Sequence, residues 1–363
     1  MNPEQAAPFF TAMKQRLRGE RLTQPPVDLF PMARFHRCLP WFSPGELQPQ
    51  DRSCWYARMA DYLRLNRELQ TLLQTFEQSG IRCRSFKGPV WKDILSPELL
   101  FRQCTDMDVL VDSRQIPRVL TMLQDLGYCN DYDLSFEQVQ RLVAHVFSME
   151  FRHAQNGFIL DLHWDLTEGY CLAPFTNRET QPDVNAFDNS LQTFDDSLIL
   201  FLILMHGAKN NYETFIYAAD LFCWMSQHPD WDWGRTVRRY RSAGLVRFLT
   251  VGLGLTHSML DAPLPTQVQR ALDKDRTAVH LINQIRTRFE SGLLNRHSRA
   301  EALRFQYQIR RGFRQILYYS WFRLTPKKAD WIKNPDSTAW AAMLTRMKRT
   351  SQSVRMSQNS TGS

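Results

Sequence analysis

The sequence predicts an α+β protein: a small mixed β-sheet core flanked by an N-terminal helical arm and a C-terminal helical domain. Apolar residues recur at helical spacing before about residue 80 and after about residue 190, with short strand-like runs between them. The order of these runs contains no unbroken βαβαβ series, and one pair has the pattern of a hairpin. A mixed sheet is therefore expected rather than a doubly wound parallel one.

Residues 1–78 are expected to form the helical arm. In the segment 55–80, apolar residues stand mostly three or four apart, namely Tyr56, Met59, Tyr62, Leu63, Leu69, Leu72, Leu73 and Phe76. Gly80 ends this pattern, as a glycine after a helix commonly does. A short strand over 81–87 follows, and Pro89 is suited to begin a helix that extends to about Leu95.

Residues 79–180 are expected to form the α/β core. A strand is predicted over Thr105–Val111, because the run is short, apolar and bounded by polar turns. Helices are predicted over 116–126, before Gly127, and over 135–143. Two further strands, 146–152 and 158–164, flank Asn156-Gly157, a pair that strongly favours a hairpin turn.

Residues 181–335 are expected to form the helical domain, and residues 336–363 a tail. Four helices are predicted from their apolar spacing: Leu198–Lys209, Tyr212–Ser226, Trp233–Ala243 and Leu245–Leu260. The end of the tail, Thr350–Ser363, is rich in Ser, Gln and Asn and is predicted to be disordered.

The composition is that of an ordinary globular protein, with 43% hydrophobic and 23% charged residues among 363. No window approaches the roughly 18 apolar residues of a membrane span, and the first residues lack the pattern of a secretory signal. Seven cysteines stand singly, which argues against a disulfide framework and a zinc cluster and favours the cytoplasm. The net charge of +8 favours phosphate-bearing partners such as nucleotides, RNA or acidic lipid, or else serves solubility alone.

Asp106 and Asp108 lie in the first long predicted strand. Because side chains alternate along a strand, both carboxylates point to one face, with Cα atoms about 6.6 Å apart. They could converge on two cations roughly 3.5–4 Å apart, the separation used in two-metal phosphoryl chemistry. Met107 and Val109 are expected to face the core.

The second hairpin strand supplies a third carboxylate. Alternation places Asp161, His163 and Asp165 on one face, and a neighbouring strand lies about 4.8 Å away, so Asp161 could join Asp106 and Asp108 in a cluster. Three carboxylates so close repel one another unless a cation such as Mg²⁺ is bound. We interpret His163, beside a tryptophan, as a packed and hydrogen-bonded residue rather than a metal ligand.

Three motifs carry a resemblance to a known family: Phe86-Lys-Gly88, Arg102-x-x-x-Asp106-x-Asp108-x-Leu-Val111 and Asp161-Leu-His-Trp164. Their order resembles the uncharacterised nucleotidyltransferase-like family of the DNA polymerase β superfold. Weaker similarities extend it over about residues 55–335: Leu204-Met-His206-x-x-Lys209, Ala219-Asp220-Leu221, Leu324-Thr-Pro326 and Asp330-Trp331.

The resemblance implies a metal-dependent nucleotidyltransferase that uses Mg²⁺ or Mn²⁺ and a nucleoside triphosphate, with ATP the expected donor. It implies that Asp106 and Asp108 hold the metals, and that Asp161 binds the second metal and helps to deprotonate the acceptor hydroxyl. The acceptor (small molecule, peptide, protein or RNA) and the oligomeric state stay open.

Five further residues are implied in nucleotide binding. Pro89 has no amide hydrogen, so phosphate contacts would come from Gly88 and the Lys87 ammonium. Arg102 would supplement the metals or pair with the aspartate cluster. His206 and Lys209 would reach the triphosphate or base, or else lie in a solvated turn.

Two alternatives remain open on the sequence. The same fold could bind a nucleotide or RNA without turnover, or the aspartates could be dispersed in a purely structural helical protein. Residues 304–333 interleave basic and aromatic residues, which suits single-stranded RNA, a membrane surface, or a helix whose aromatic residues pack inward. We favour the packed helix.

Overall fold

A computed structural model describes residues 3–20, 22, 29–166, 194–291, 298–335, 337–338, 341–344 and 346. The predicted boundary at residues 180 and 181 and the predicted disorder of residues 350–363 lie outside these residues. The division into domains therefore stays a prediction. The α+β class with a small mixed sheet is confirmed.

Three helices form the N-terminal region: α1 (Pro3–Leu17), α2 (Leu29–Phe35) and α3 (Pro49–Gln78). The expected helix over 55–80 corresponds to α3, and Gly80 follows it with a φ of +64° that suits glycine. Not every apolar residue of this pattern is buried, since Tyr56 and Leu63 are each 52% exposed. Only one side of α3 meets the core, through Trp55, Tyr62, Leu65, Leu69, Leu72 and Phe76.

Five strands alternate with short helices to form the core. The elements are β1 (Cys83–Ser85), α4 (Val90–Leu95), β2 (Asp106–Val111), α5 (Ile116–Asp125), β3 (Tyr128–Cys129), α6 (Phe136–Leu142), β4 (Ser148–His153) and β5 (Ile159–His163). The sheet order is β1-β2-β5-β4-β3, with β2 and β5 parallel and the other pairs antiparallel. The hairpin at Asn156-Gly157 is confirmed. Strand β3 was not predicted, because two residues are too few to show the alternating pattern of a strand.

The two faces of the sheet have opposite character. Met107 and Val109 of β2 and Leu160 and Leu162 of β5 are fully buried in one apolar cluster with residues of α3, α5 and α6. Their neighbours in sequence point to the other face, because side chains alternate along a strand. The carboxylates of β2 and β5 therefore lie on the face turned toward the helical domain, where Leu110 joins a second apolar cluster.

Nine helices follow in the described part of the C-terminal region: α7 (Asp196–Lys209), α8 (Ile216–Gln227), α9 (Trp233–Ser242), α10 (Val246–Leu260), α11 (Thr266–Leu272), α12 (Arg276–Glu290), α13 (Arg299–Gln308), α14 (Phe313–Leu324) and α15 (Lys328–Lys333). The four predicted helices correspond to α7–α10. The last helix, α15, returns to the core, where Trp331 stacks on His145 with ring centroids 4.0 Å apart. None of these described helices, nor any earlier one, is long and apolar enough to cross a membrane.

Candidate active site

The parallel pairing of β2 with β5 brings the predicted carboxylates together. The register sets Asp108 directly opposite Asp161. The backbone of Asp108 is held from the other side, because its carbonyl accepts hydrogen bonds from the amide of Phe86 at 3.2 Å and the hydroxyl of Ser85 at 3.1 Å. Two strand neighbours thus fix the position of this aspartate in the middle of the sheet.

His163 lies between the two aspartates. Its Nε2 is 3.1 Å from Asp108 Oδ1 and 2.9 Å from Asp161 Oδ2, and the ring is packed edge-on against Phe86. The expectation of a packed, hydrogen-bonded histidine is met, but both partners are the predicted metal ligands. One potential ligand atom from each of Asp108, Asp161 and His163 lies within 4.8 Å of the others.

The charges in this cluster shift one another's pKa values. Burial would raise the pKa of Asp108, but the Lys87 ammonium and then His163 outweigh burial and hold it well below its usual range. Burial would likewise lower the pKa of His163, yet its bonds to Asp108 and Asp161 raise it. Burial would raise the pKa of Asp161, but the hydrogen bond and the charge of His163 together outweigh burial and lower it. These shifts all favour ionised carboxylates beside a proton-bearing imidazole.

Asp106 lies outside the group formed by Asp108, Asp161 and His163. It is half-buried, lines the same cavity as Asp108 and Asp161, and does not belong to the group of ligand atoms within 4.8 Å. Burial, followed by the charges of Asp108 and Asp161, raises its pKa to about 6. The three aspartates share one face as predicted, but His163 rather than Asp106 completes the tight group, because the strand period separates Asp106 from Asp108.

The Lys87-Gly88 turn places the ammonium group of Lys87 beside the carboxylate of Asp108. The Lys87 ammonium lies 3.1 Å from Asp108 Oδ1, and its backbone has a φ of +128°, a strained conformation for a residue with a side chain. Gly88 has a φ of +53°, and a Cβ there would lie 2.7 Å from the Asp106 carbonyl oxygen. Only glycine allows this turn to pack so closely on β2.

Arg102 has a different partner from the one suggested by the sequence. Its guanidinium forms two bonds to Asp220 of α8, at 2.5 and 2.7 Å, and both side chains are buried. Burial would lower the Arg102 pKa, but the Asp220 charge raises it, so the arginine stays charged. The expectation that Arg102 pairs with the aspartate cluster was wrong, because α8 supplies a buried carboxylate 118 residues away in sequence.

The two predicted residues of α7 lie in different surroundings. His206 lines the cavity, its Nδ1 is buried without a hydrogen-bond partner among the described residues, and burial lowers its pKa to about 3. Lys209 is exposed and is not among the residues lining the cavity; its ammonium lies 5.5 Å from the centroid of the Phe147 ring. The structure therefore brings His206, but not Lys209, to the cavity.

A cavity of about 230 Å³ joins these groups. Sequence reasoning missed seven of its lining residues, among them Arg37, which follows α2, Trp91 of α4 and Tyr217 of α8. Arg37 lies nearly seventy residues before Asp106, and no motif distinguishes it. The cavity combines three arginine or lysine side chains, namely Arg37, Lys87 and Arg102, with the aspartates of the sheet, so it suits an anionic ligand with bound cations.

The side chains fit a divalent cation. Asp161 Oδ1 is buried and has no hydrogen-bond partner within the described part of the chain. This carboxylate oxygen is therefore available to bind a cation. Carboxylate oxygens suit Mg²⁺ and Mn²⁺. The cysteines described are all free, so none of them forms part of a disulfide here.

Comparison with protein families matches residues 44–261, more than half of the chain, to a family described as "Uncharacterised nucleotidyltransferase". The matched range contains α3, the whole sheet, the carboxylate cluster and helices α7–α10. It ends before the weak similarities at residues 324–331. Searches of curated proteins and of solved structures found no match.

Proposed function

The chain belongs to the uncharacterised nucleotidyltransferase family, and on this premise we propose that it transfers a nucleoside monophosphate from a nucleoside triphosphate to a hydroxyl- or phosphate-bearing acceptor, releasing pyrophosphate. ATP is the donor we expect. The observation that carries the proposal is the pairing of Asp108 with Asp161 on adjacent parallel strands, with an unpartnered carboxylate oxygen at Asp161. A purely structural protein would have no reason to bury two opposed carboxylates.

Asp108 and Asp161 would hold the divalent cation, with Asp106 at the rim and His163 keeping both carboxylates in place through its hydrogen bonds. When bound, Mg²⁺ or Mn²⁺ neutralises phosphate charge and lowers the pKa of the attacking hydroxyl. Asp106 strengthens this interpretation, since a carboxyl with a pKa raised to about 6 ionises readily once a positive charge is brought beside it.

The protein's own cations would bind the triphosphate. The Lys87 ammonium bonds Asp108, and both Lys87 and Arg37 line the cavity. Both would contact phosphate oxygens and stabilise the charge that accumulates on the pyrophosphate leaving group. Arg102 is held by Asp220, so we assign it to shaping the cavity and to long-range attraction of phosphate rather than to direct contact.

Asp161 would orient the acceptor. Its Oδ1 accepts the hydrogen bond of the acceptor hydroxyl, whose oxygen attacks the α-phosphorus. A new phosphorus–oxygen bond forms as the bond to pyrophosphate breaks, and the hydroxyl proton passes to the carboxylate. His163 would keep Asp161 in place through its bond to Oδ2.

The test is label transfer from each α-labelled nucleoside triphosphate, with Mg²⁺ and a cell extract as the source of acceptor. Asp108→Asn and Asp161→Asn should remove the labelled product, whereas Asp125→Asn, an exposed aspartate at the end of α5, should not. Product mass and nuclease sensitivity then distinguish RNA, protein and small-molecule acceptors. Equal labelling by the wild type and the site variants would overturn the proposal.

One observation favours a second candidate, a protein that binds nucleotide without turnover. Asp108 Oδ1 already interacts with both Lys87 and His163, so the cluster is neutralised by the protein itself. Nucleotide binding by calorimetry with no label transfer and no pyrophosphate release from any extract would support this candidate. Pyrophosphate release that depends on Asp161 would exclude it.

A further inference from the structure

Helix α14 exposes an apolar face to solvent. Six of the eleven large apolar side chains that are exposed in the described residues belong to this helix. Phe313 is 77% exposed, Trp321 61% and Leu324 60%, with Leu317, Ile316 and Tyr318 beside them. Four of these residues, at positions 313, 317, 321 and 324, recur every three or four residues and form one continuous stripe. The expectation that the aromatic residues of this segment pack inward is therefore wrong for Phe313 and Trp321.

The opposite face of α14 is held firmly to the helical domain. Gln315 is buried, and its Nε2 donates a hydrogen bond of 2.8 Å to the Ala243 carbonyl. Tyr319 is buried as well, with the Arg310 guanidinium 3.8 Å from its ring centroid. The amide of Arg311 donates to the Gly244 carbonyl at 3.1 Å, just before the helix begins. These contacts fix the rotation of α14, so the apolar stripe is presented outward.

Basic residues border the stripe on both sides. At 3.6 residues per turn, Arg314 lies about 65° and Arg323 about 115° from the centre of the stripe, one on each side. Both are exposed. Lys327 and Lys328 follow within four residues of the helix end, and α14 itself contains no acidic residue. Long basic side chains at the edges of an apolar stripe can reach the lipid headgroups while the stripe enters the acyl region.

We propose that α14 docks in the plane of an anionic lipid bilayer, with its apolar stripe inserted at the headgroup boundary. Charge complementarity selects this partner, since the flanking arginines and the net charge of +8 favour anionic headgroups. RNA fits less well, because the aliphatic Leu317 and Leu324 offer bases no stacking surface. A second copy fits less well too, because α14 contains no acidic residue that could pair with the arginines of a two-fold related copy. The proposal does not depend on the proposed function.

The test is co-sedimentation of the full chain with phosphatidylcholine vesicles, with and without phosphatidylglycerol. The wild type should bind the anionic vesicles and bind those of phosphatidylcholine alone far more weakly. Phe313→Ser/Leu317→Ser/Trp321→Ser should lower the partition coefficient about tenfold or more. The matched control is Tyr56→Ser/Leu63→Ser, which removes exposed apolar residues from α3 and should bind as the wild type does.

A second pair of variants tests the charges. Arg314→Gln/Arg323→Gln should lower binding to anionic vesicles roughly thirtyfold, at about 1 kcal/mol for each of the two basic residues. Arg118→Gln/Arg270→Gln removes the same charge from other exposed helices and should have a smaller effect. If the triple serine variant does not fold, as judged by its thermal unfolding, the arginine pair decides the question alone.

Three outcomes would overturn the proposal. The wild type could fail to bind anionic vesicles, the α14 variants could bind them as well as the wild type, or the controls could lose as much binding. Loss of RNA binding or of self-association in the α14 variants, without any vesicle binding by the wild type, would also overturn it and would identify the alternative partner.

Discussion

The two walls of the cavity differ in how their buried charges are paired. On the helical wall, Arg102 and Asp220 form one bidentate ion pair in which each charge has its partner. On the sheet wall, the carboxylates of Asp108 and Asp161 share the proton-bearing ring of His163, and Asp106 lies beside them. The two charges of the helical wall neutralise each other. The sheet wall would be stabilised by an added cation.

This difference distinguishes charges that stabilise the fold from charges that would bind a ligand. A buried pair that satisfies both partners contributes a fixed shape, and removing one partner leaves a costly unpaired charge. On the sheet wall, burial and the charges of Asp108 and Asp161 raise the pKa of Asp106, so an added cation would stabilise this group. Substitutions on the helical wall should therefore lower stability, whereas substitutions on the sheet wall should lower activity.

The largest effect is expected on the sheet wall. Asp108→Asn or Asp161→Asn should reduce nucleotidyl transfer on the order of ten-thousandfold, because each removes a carboxylate that would hold the cation. Each change should also cost some stability, because Asp108 bonds both Lys87 and His163 and Asp161 bonds His163. Initial rates and urea unfolding of one preparation test both statements. A loss in the free energy of unfolding as large as the loss of transition-state stabilisation would contradict this distinction between the two walls.

The helical wall should show the reverse. Asp220→Asn leaves the buried Arg102 guanidinium without a counter-charge, and we expect a loss of about 3–5 kcal/mol in the free energy of unfolding. Arg102→Met/Asp220→Leu removes both charges and should recover much of that loss. Urea denaturation of the three proteins measures it. A double variant as unstable as Asp220→Asn would indicate that Arg102 has a further buried partner.

The buried histidine of the helical wall predicts the response to acid. Burial lowers the folded-state pKa of His206 to about 3, whereas an unfolded histidine titrates near its ordinary value of 6.5. Below that value the unfolded chain binds the proton and the folded chain does not, so stability falls as pH falls. At pH 5 the loss amounts to roughly 2 kcal/mol from this residue. His206→Gln should reduce the difference between unfolding at pH 7 and pH 5 by that amount, and an unchanged difference would contradict it.

The smallest effect concerns the turn that joins the two walls. Gly88→Ala forces a Cβ toward the Asp106 carbonyl at a φ of +53°, and we expect a loss of about 1–2 kcal/mol. Because the turn positions Lys87, the affinity for nucleotide should fall as well. Gly19→Ala is the matched control, since its φ is also positive but no atom lies near its Cβ position. Thermal unfolding and calorimetry report both quantities.

Much of the fold is encoded in local patterns of the sequence. Gly80 ends α3, Asn156-Gly157 turns the hairpin, and alternation along β2 and β5 places the aspartates on one face. These features depend on neighbours within a few residues. The interleaved basic and aromatic residues of 304–333 also favoured a helix, but this pattern does not say whether another part of the protein covers its aromatic residues.

The parts that escaped prediction are contacts across long stretches of chain. Nothing local links Arg102 to Asp220 or brings Arg37 to the cavity, because these contacts depend on how the helical regions pack on the sheet. The parallel pairing of β2 with β5 fixes His163 between the aspartates, and one strand alone does not show which neighbour it will have. The participation of His163 was therefore underestimated.

Binding of Mn²⁺, followed by electron paramagnetic resonance, tests the central claim most directly because it needs no acceptor. The account predicts saturable binding that Mg²⁺ displaces, lost in Asp108→Asn/Asp161→Asn and retained in Asp125→Asn. Adding ATP should tighten the binding in the wild type alone. Equal Mn²⁺ affinity in the wild type and the double variant would contradict the assignment of the sheet wall as the metal centre.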